Sequence, residues 1–300
     1  MSVPEPLAAF LEHLERTRRL SPHTLAAYAV DLERLARLAA ARPLEVLDVP
    51  TIRHGVMQMH ASGRSPRSIA RTLSAWRTFY AWRVKHHGLE ANPVSGVRAP
   101  KAKRALPKAL SPEAAAQLLA PEPKDAADRR DLAMFELLYS SGLRLAELVA
   151  LDDRDAREIL AEGEVTVTGK GQKRRRVPVG AAARAALDRW LVERAALAAP
   201  GEVALFVGAR GARIAPRVVQ LRLKRWAFDA GVRAKVHPHV LRHSFASHVL
   251  QSSSDLRAVQ EMLGHASLAT TQVYTSLDFQ HLAKVYDAAH PRARKKKSGA

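Results

Sequence analysis

Between residues 237 and 274 the chain gathers two histidines, an arginine and a tyrosine whose types suit one reaction. His239 and Arg242 stand in the run His237-Pro238-His239-Val240-Leu241-Arg242-His243, His265 in Leu263-Gly264-His265, and Tyr274 nine residues further on. Upstream lie a second arginine, Arg144 in Ser141-Gly142-Leu143-Arg144, and a lysine, Lys170 in Gly169-Lys170-Gly171. A phenol is a nucleophile, guanidiniums are forked donors to phosphate oxygens, and imidazole and ammonium groups move protons. This inventory suits cleavage of a DNA phosphodiester by a tyrosine, without a metal. Each member alone has a plainer reading. Arg144 is one turn from Glu147 and fits an intrahelical ion pair. Tyr274, beside Val273 and Leu277, fits a core aromatic. His243 and His248 fit packing in a helix pair. The set carries the inference, not any one residue.

Two other chemistries fit less well. His239 and His243 are four apart, as in a helical zinc site, but the zinc-protease spacing needs Glu at 240 and Val240 stands there. A phosphate-binding loop at Gly169-Lys170 needs a glycine five positions earlier and Ser or Thr after the lysine; Glu164 and Gly171 occupy those places. No metal and no cofactor is expected.

Composition narrows the partner. The 300 residues carry 48 Lys and Arg against 29 Asp and Glu, a net charge of +19. Such a surplus points to a polyanion, since each phosphate neutralised releases counterions. Cysteine is absent, so thiolate metal sites and disulfides are excluded and a reducing compartment, the cytoplasm, is expected. The sequence holds no apolar run of membrane-spanning length, and Met1-Ser2-Val3-Pro4-Glu5 does not open a signal peptide.

The elements that position these residues are mainly helical. Ser21-Pro22, Ser65-Pro66 and Ser111-Pro112 each place a capping hydroxyl before a proline at the first helical position. Leu25, Tyr28, Leu32, Leu35 and Leu38, then Ile69, Leu73, Trp76, Phe79 and Tyr80, recur at helical spacing. With helices near 4–18 and 50–61, residues 1–92 form a helical domain. Residues 93–110, with Pro93, Pro100 and Pro107 between basic residues, read as an extended linker. The second domain, 111–291, mixes helices near 112–119, 129–140, 144–151, 181–198, 216–230, 239–251, 255–263, 269–275 and 278–288 with one hairpin. Its strands are Glu164–Thr168 and Arg175–Val179, and Lys170 sits at the turn. Gly142 is expected to end the second of these helices in a left-handed cap. Residues 292–300 form a basic tail. The fold class is mainly α with a small β-hairpin.

The basic residues expected to meet DNA are Arg64, Arg67 and Arg71, then Lys101, Lys103 and Arg104 in the linker, and Lys173, Arg174, Arg175 and Arg176 beside the hairpin. Two basic domains on an extended linker suggest a clamp around a duplex.

Taken in order, Ser141-Gly142-Leu143-Arg144-Leu145, Gly169-Lys170-Gly171, His239-Val240-Leu241-Arg242-His243 and Leu263-Gly264-His265 followed by Tyr274 resemble the motifs of the tyrosine recombinase (phage-integrase-like) family. The resemblance spans nearly the whole chain. The run from Thr270 to Arg292 most resembles the branch that resolves chromosome dimers. Ala146, where the family often has Ser, and Ser254, where Gly is common, depart from the pattern without removing a reactive group.

The resemblance implies a helical core-binding domain followed by an α+β catalytic domain. It implies Tyr274 as nucleophile, Arg144, Arg242 and His265 as phosphate donors, His239 as general base and Lys170 as general acid. It further implies a dif-like DNA site, a XerD-like second recombinase in a heterotetramer and an FtsK-like translocase. Other activities compatible with the same set are a mobile-element integrase, a type IB topoisomerase, and a DNA-binding protein that kept the fold without the chemistry.

Overall fold

The computed structural model describes residues 5–18, 20, 22–40, 42–101, 109–169, 174–253, 256–263 and 286. The chain divides into two compact units, Met1–Leu106 and Pro107–Ala300.

The first unit is helical. Its elements are α1 (Glu5–Arg18), α2 (Pro22–Ala39), a single 3-10 turn at Leu44–Val46, α3 (Val49–Ala61) and α4 (Pro66–His87). Pro66 is preset for the first turn of α4, and Ser65 Oγ accepts from the Ser68 N–H at 3.2 Å. The apolar stripe foreseen from spacing is the stripe that is buried: Ile69, Leu73, Trp76, Phe79 and Tyr80 pack against Leu7, Phe10, Leu32 and Leu35. Asp31 ties α2 to α4 inside this core. It accepts from Thr72 Oγ1 at 2.8 Å and pairs with Arg34 and Arg71, while its carbonyl accepts from Trp76 Nε1. Val94 and Val97 also join the core, and Arg77 donates to the Val97 carbonyl. The beginning of the expected linker is therefore part of the first unit: two valines outweigh the neighbouring prolines by burying apolar area.

The second unit is built around α6 (Ala126–Ser141), which is buried from Arg130 to its end and packed by α9 (Ala181–Leu197), α10 (Pro216–Asp229) and α11 (Pro238–Ser253). Before α6 comes α5 (Pro112–Leu118), capped by Ser111; after it come α7 (Leu145–Ala150) and α8 (Asp153–Glu162). Strands β1 (Glu164–Thr168) and β2 (Arg174–Pro178) form an antiparallel hairpin with Val167 opposite Arg175. The last helix described is α12 (Leu256–Leu263). Val259, Met262 and Leu263 of α12 close a small cluster with Phe245 and Val249 of α11 and with Tyr286. Tyr286 is the described residue of the expected helix 278–288, and its hydroxyl meets Ser140 Oγ at 2.7 Å. The rest of that helix, the expected helix at 269–275 and the tail at 292–300 lie outside the described residues.

The helix α8 was not foreseen. Its signals are in the sequence: Asp152 and Asp155 make a reciprocal capping box and Gly163 closes the helix at φ +72°. Only Ala156 and Ile159 of α8 are buried, so the acidic stretch hides the apolar stripe. Among the described residues no helix is long and apolar enough to cross a membrane.

Candidate active site

Gly142 ends α6 with φ +58°, the left-handed conformation that glycine adopts without strain. The chain then turns sharply, and Arg144 becomes the N-cap of α7. Its own N–H is held by Glu147 Oε2 at 2.7 Å and its Nη1 by Glu147 Oε1 at 2.8 Å. One turn of α7 therefore carries both the guanidinium and the carboxylate that aims it.

A second arginine arrives from α11. Arg242 is 9% exposed; its Nη1 donates to the Gly142 carbonyl and its Nη2 to the Leu263 carbonyl. Arg144 Nη2 reaches the same Leu263 carbonyl at 3.4 Å. The two arginines foreseen as phosphate donors thus converge at the C-terminal end of α12, although 98 residues separate them in sequence.

A third arginine was not foreseen there. Alternation along β2 leaves Arg174 and Arg176 exposed and turns Arg175 inward with Val177. Its Nη1 and Nη2 donate to the two oxygens of Glu147 at 2.7 and 2.8 Å, and its Nε to the Met262 carbonyl at 2.9 Å. Expected on the DNA-facing surface, Arg175 is instead buried and bonded through all three nitrogens. Glu147, also buried, was read from sequence only as an ion-pair partner of Arg144; it is the hub of the cluster.

The electrostatics follow from this packing. Burial alone would raise the Glu147 carboxyl, but the Arg175 fork, the Arg144 N–H and the two guanidiniums outweigh it and hold the group below its usual range. Burial and the positive charges of Arg144 and Arg175 push Arg242 down to about 10, against the pull of Glu147. It stays charged at neutral pH. Three guanidiniums around one carboxylate leave a partly buried surplus of positive charge, which favours an anion.

His239 lies on α11 three residues before Arg242, with an exposed ring. It makes an edge contact with His237 at 6.2 Å between ring centroids. His248 is elsewhere, buried between Tyr139 and the Leu110 carbonyl. These histidines do not gather around a common point. Among the described residues, the carboxylates close enough to share an ion are Glu158, Glu162 and Glu164. Arg176 pairs with Glu162 and Glu164, and Glu158 accepts from Thr166 Oγ1, so each of the three carboxylates already has a partner within the protein. A groove of about 720 Å³ beside it is lined by Asp152, Asp155 and Glu158 together with Arg154 and Arg174.

Lys170, His265 and Tyr274 lie outside the described residues, as do Lys103, Arg104 and Lys173. Of the other basic residues expected at DNA, Arg64, Arg67, Lys101 and Arg174 are exposed. Arg71 and Arg176 are also exposed but ion-paired, Arg71 with Asp31 and Arg176 as above.

Comparison with known proteins adds an independent line. Residues 108–281 match the phage integrase family, and residues 7–87 match the phage integrase N-terminal SAM-like domain. The chain is 55% identical to Tyrosine recombinase XerC 1 of Ralstonia nicotianae, over 98% of this chain and 95% of that protein. It is 51% identical to Tyrosine recombinase XerC of Chromobacterium violaceum, over 97% of this chain and 96% of that protein. Among solved structures, XerH site-specific recombinase bound to palindromic difH substrate aligns with TM-score 0.69 at 22% identity, covering 94% of this chain and 83% of that one. A lambda integrase(75-356) dimer bound to a COC′ core site aligns with TM-score 0.70 at 17% identity, covering 91% of this chain and all of that fragment. At these identities the structural likeness is one of fold.

Proposed function

The chain belongs to the phage integrase family of tyrosine recombinases, and we propose that it serves as a XerC-like recombinase that resolves chromosome dimers at a dif-type site. It is a metal-independent enzyme that cuts and rejoins DNA. The observation that carries the reading is the buried arginine cluster. Arg144 and Arg242 point donors at one place, the Leu263 carbonyl, and the cluster carries more positive charge than Glu147 neutralises.

In this reading the scissile phosphate lies beside that carbonyl, within reach of both guanidiniums. Arg144, Arg242 and His265 donate to its non-bridging oxygens, and preorganised donors of this kind are each worth about 100- to 1,000-fold in rate. The Tyr274 hydroxyl attacks phosphorus. A free phenol has a pKa of about 10, so its proton needs an acceptor, which is His239. The bond from phosphorus to the 5′ oxygen breaks, and Lys170 protonates the departing oxygen. The product is a 3′-phosphotyrosyl link and a free 5′ hydroxyl. A 5′ hydroxyl from a second duplex then attacks the link, releases Tyr274 and forms the recombinant strand. One phosphodiester replaces another, so no nucleotide is consumed. The exposed Arg64, Arg67, Lys101 and Arg174 hold the phosphate backbone, as does Lys173 beside the hairpin turn. The partners in this reading are duplex DNA, a XerD-like recombinase completing a heterotetramer, and an FtsK-like translocase, all in the cytoplasm.

The test is a nicked duplex carrying a dif-like site, incubated without metal or nucleotide and run on a denaturing gel. A slow, detergent-resistant band that disappears in Tyr274→Phe, with binding retained, is expected. A band that persists in Tyr274→Phe refutes the nucleophile. Relaxation of supercoils on any duplex, without a partner, would replace the Xer role by a topoisomerase-like one.

A further inference from the structure

We infer that Arg175 is a positioning residue for the cleavage step: through Glu147 it fixes the guanidinium of Arg144 against the scissile phosphate. The inference rests on the recombinase reading and adds to it a residue that does not touch the reacting atoms.

The geometry is specific. Glu147 has two oxygens, and each is used twice. Oε1 accepts from Arg144 Nη1 at 2.8 Å and from Arg175 Nη1 at 2.7 Å; Oε2 accepts from the Arg144 N–H at 2.7 Å and from Arg175 Nη2 at 2.8 Å. The Arg175 fork therefore holds the carboxylate plane, and the carboxylate holds both the backbone and the side chain of Arg144. Without Arg175, Glu147 would keep only its two bonds to Arg144, and the carboxylate and the Arg144 guanidinium could shift as a pair. The remaining nitrogen of Arg175, Nε, donates to the Met262 carbonyl, one residue before the carbonyl that Arg144 and Arg242 both reach. One side chain thus sets the carboxylate and the end of α12 together. Those terminal carbonyls have no partner within the helix and carry its negative pole, so a buried cation suits them.

Stability alone does not account for an arginine here. Arg175 lies opposite Val167 and on the same face as Val177, in a position that an aliphatic side chain would fill. Replacing a buried ion pair by apolar residues of similar volume is often neutral or stabilising. An ion pair shared with Arg144 gives the site what an aliphatic residue cannot, a fixed direction for the guanidinium. Lysine lacks the fork and supplies only a point charge.

The experiment measures single-turnover covalent-complex formation on the nicked dif-like duplex, with DNA affinity measured in parallel, for wild type, Arg175→Met, Arg175→Lys, Glu147→Gln and Arg175→Met/Glu147→Gln. Displacement of a catalytic group by about 1 Å costs on the order of 100-fold, so Arg175→Met is expected to cleave about 30- to 100-fold more slowly at saturating DNA. Its affinity and salt dependence should stay near wild type. Arg175→Lys should fall between. The double variant should be no slower than the slower of Arg175→Met and Glu147→Gln, because both act through one carboxylate. A methylphosphonate at the scissile position has no charge to neutralise, so on it the Arg175 deficit should shrink to about 3-fold. A general loosening of the fold would slow both substrates alike and would overturn the inference. So would normal cleavage by Arg175→Met, or weaker binding with a shallower salt slope, which would make Arg175 a direct phosphate contact. Should Arg175→Met not fold, Arg175→Lys carries the same comparison between substrates. If wild type forms no covalent complex on either duplex, the recombinase reading fails, and this inference with it.

Discussion

Replacing Gly142 by alanine should destabilise the second unit and disarm it together, because one residue serves a helix end, a packing contact and an arginine. Its φ of +58° costs an L-residue about 1–2 kcal/mol. The added Cβ would lie 2.9 Å from Phe245 Cε1 and closer still to Cδ1. Phe245 is fully buried against Val249, Met262 and Tyr286, so overpacking adds about 1–3 kcal/mol. The sum is about 2–5 kcal/mol. For a unit of this size each kcal/mol shifts the midpoint by about 2–4 °C, so the melting temperature should fall by about 4–20 °C. The Gly142 carbonyl is also an acceptor for Arg242, so covalent-complex formation should fall at temperatures where the variant is still folded. Thermal unfolding followed by circular dichroism, with the nicked-duplex assay alongside, measures both. Adding Phe245→Leu to Gly142→Ala should recover about 1–2 kcal/mol if the clash contributes as argued. A Gly142→Ala protein that melts within 2 °C of wild type, a shift below about 1 kcal/mol, would refute the reasoning.

Two further outcomes follow from single residues. Lys170→Ala should slow cleavage of an ordinary duplex by about 100- to 10,000-fold, yet cleave a 5′-thiolate substrate near the wild-type rate, since a thiolate leaves without a proton; an equal deficit on both substrates would count against the general-acid role. His248 is held neutral: Tyr139 donates to its Nδ1 and its Nε2 donates to the Leu110 carbonyl, while burial, against the pull of the Leu110 carbonyl and Glu113, lowers it from 6.5. A lowered folded value means the unfolded chain takes up the proton first as pH falls. The stability is therefore complete above 6.5 and is lost as pH drops through the folded value, and His248→Gln should flatten the fall in melting temperature between about pH 7 and pH 5. An unchanged slope in that variant would assign the loss to other groups.

What was legible in the sequence, and what was not, divides along range. Local signals were read well. Ser65-Pro66 and Ser111-Pro112 open helices where the capping hydroxyl and the preset proline require, and Gly142 caps α6 as its left-handed freedom allows. Arg144 and Arg242 were recognisable because their motifs are short, and the fold brings both to the end of α12. The failures concern charged residues with distant partners. Arg174, Arg175 and Arg176 are chemically identical and adjacent, and a run of positive charge reads as a solvated face. The register separates them: Val165 and Val167 on β1 and Val177 on β2 mark the inward face, and period-two alternation puts Arg175 on it. That inference was open to the sequence, since the hairpin itself was foreseen. Its consequence was not, because the partner, Glu147, lies 28 residues away and looked satisfied by Arg144. Satisfaction by a neighbour in sequence is weak evidence about a buried carboxylate, which has two oxygens and room for several donors. For Glu147 the local pair and the long-range pair are parts of one arrangement: α7 supplies the guanidinium, β2 supplies the fork that orients it, and α12 supplies the carbonyls that fix where both converge. A site of this kind is assembled only when three segments meet. Its reactive members can therefore be read from motifs, while the residue that aims them is found only in the packing.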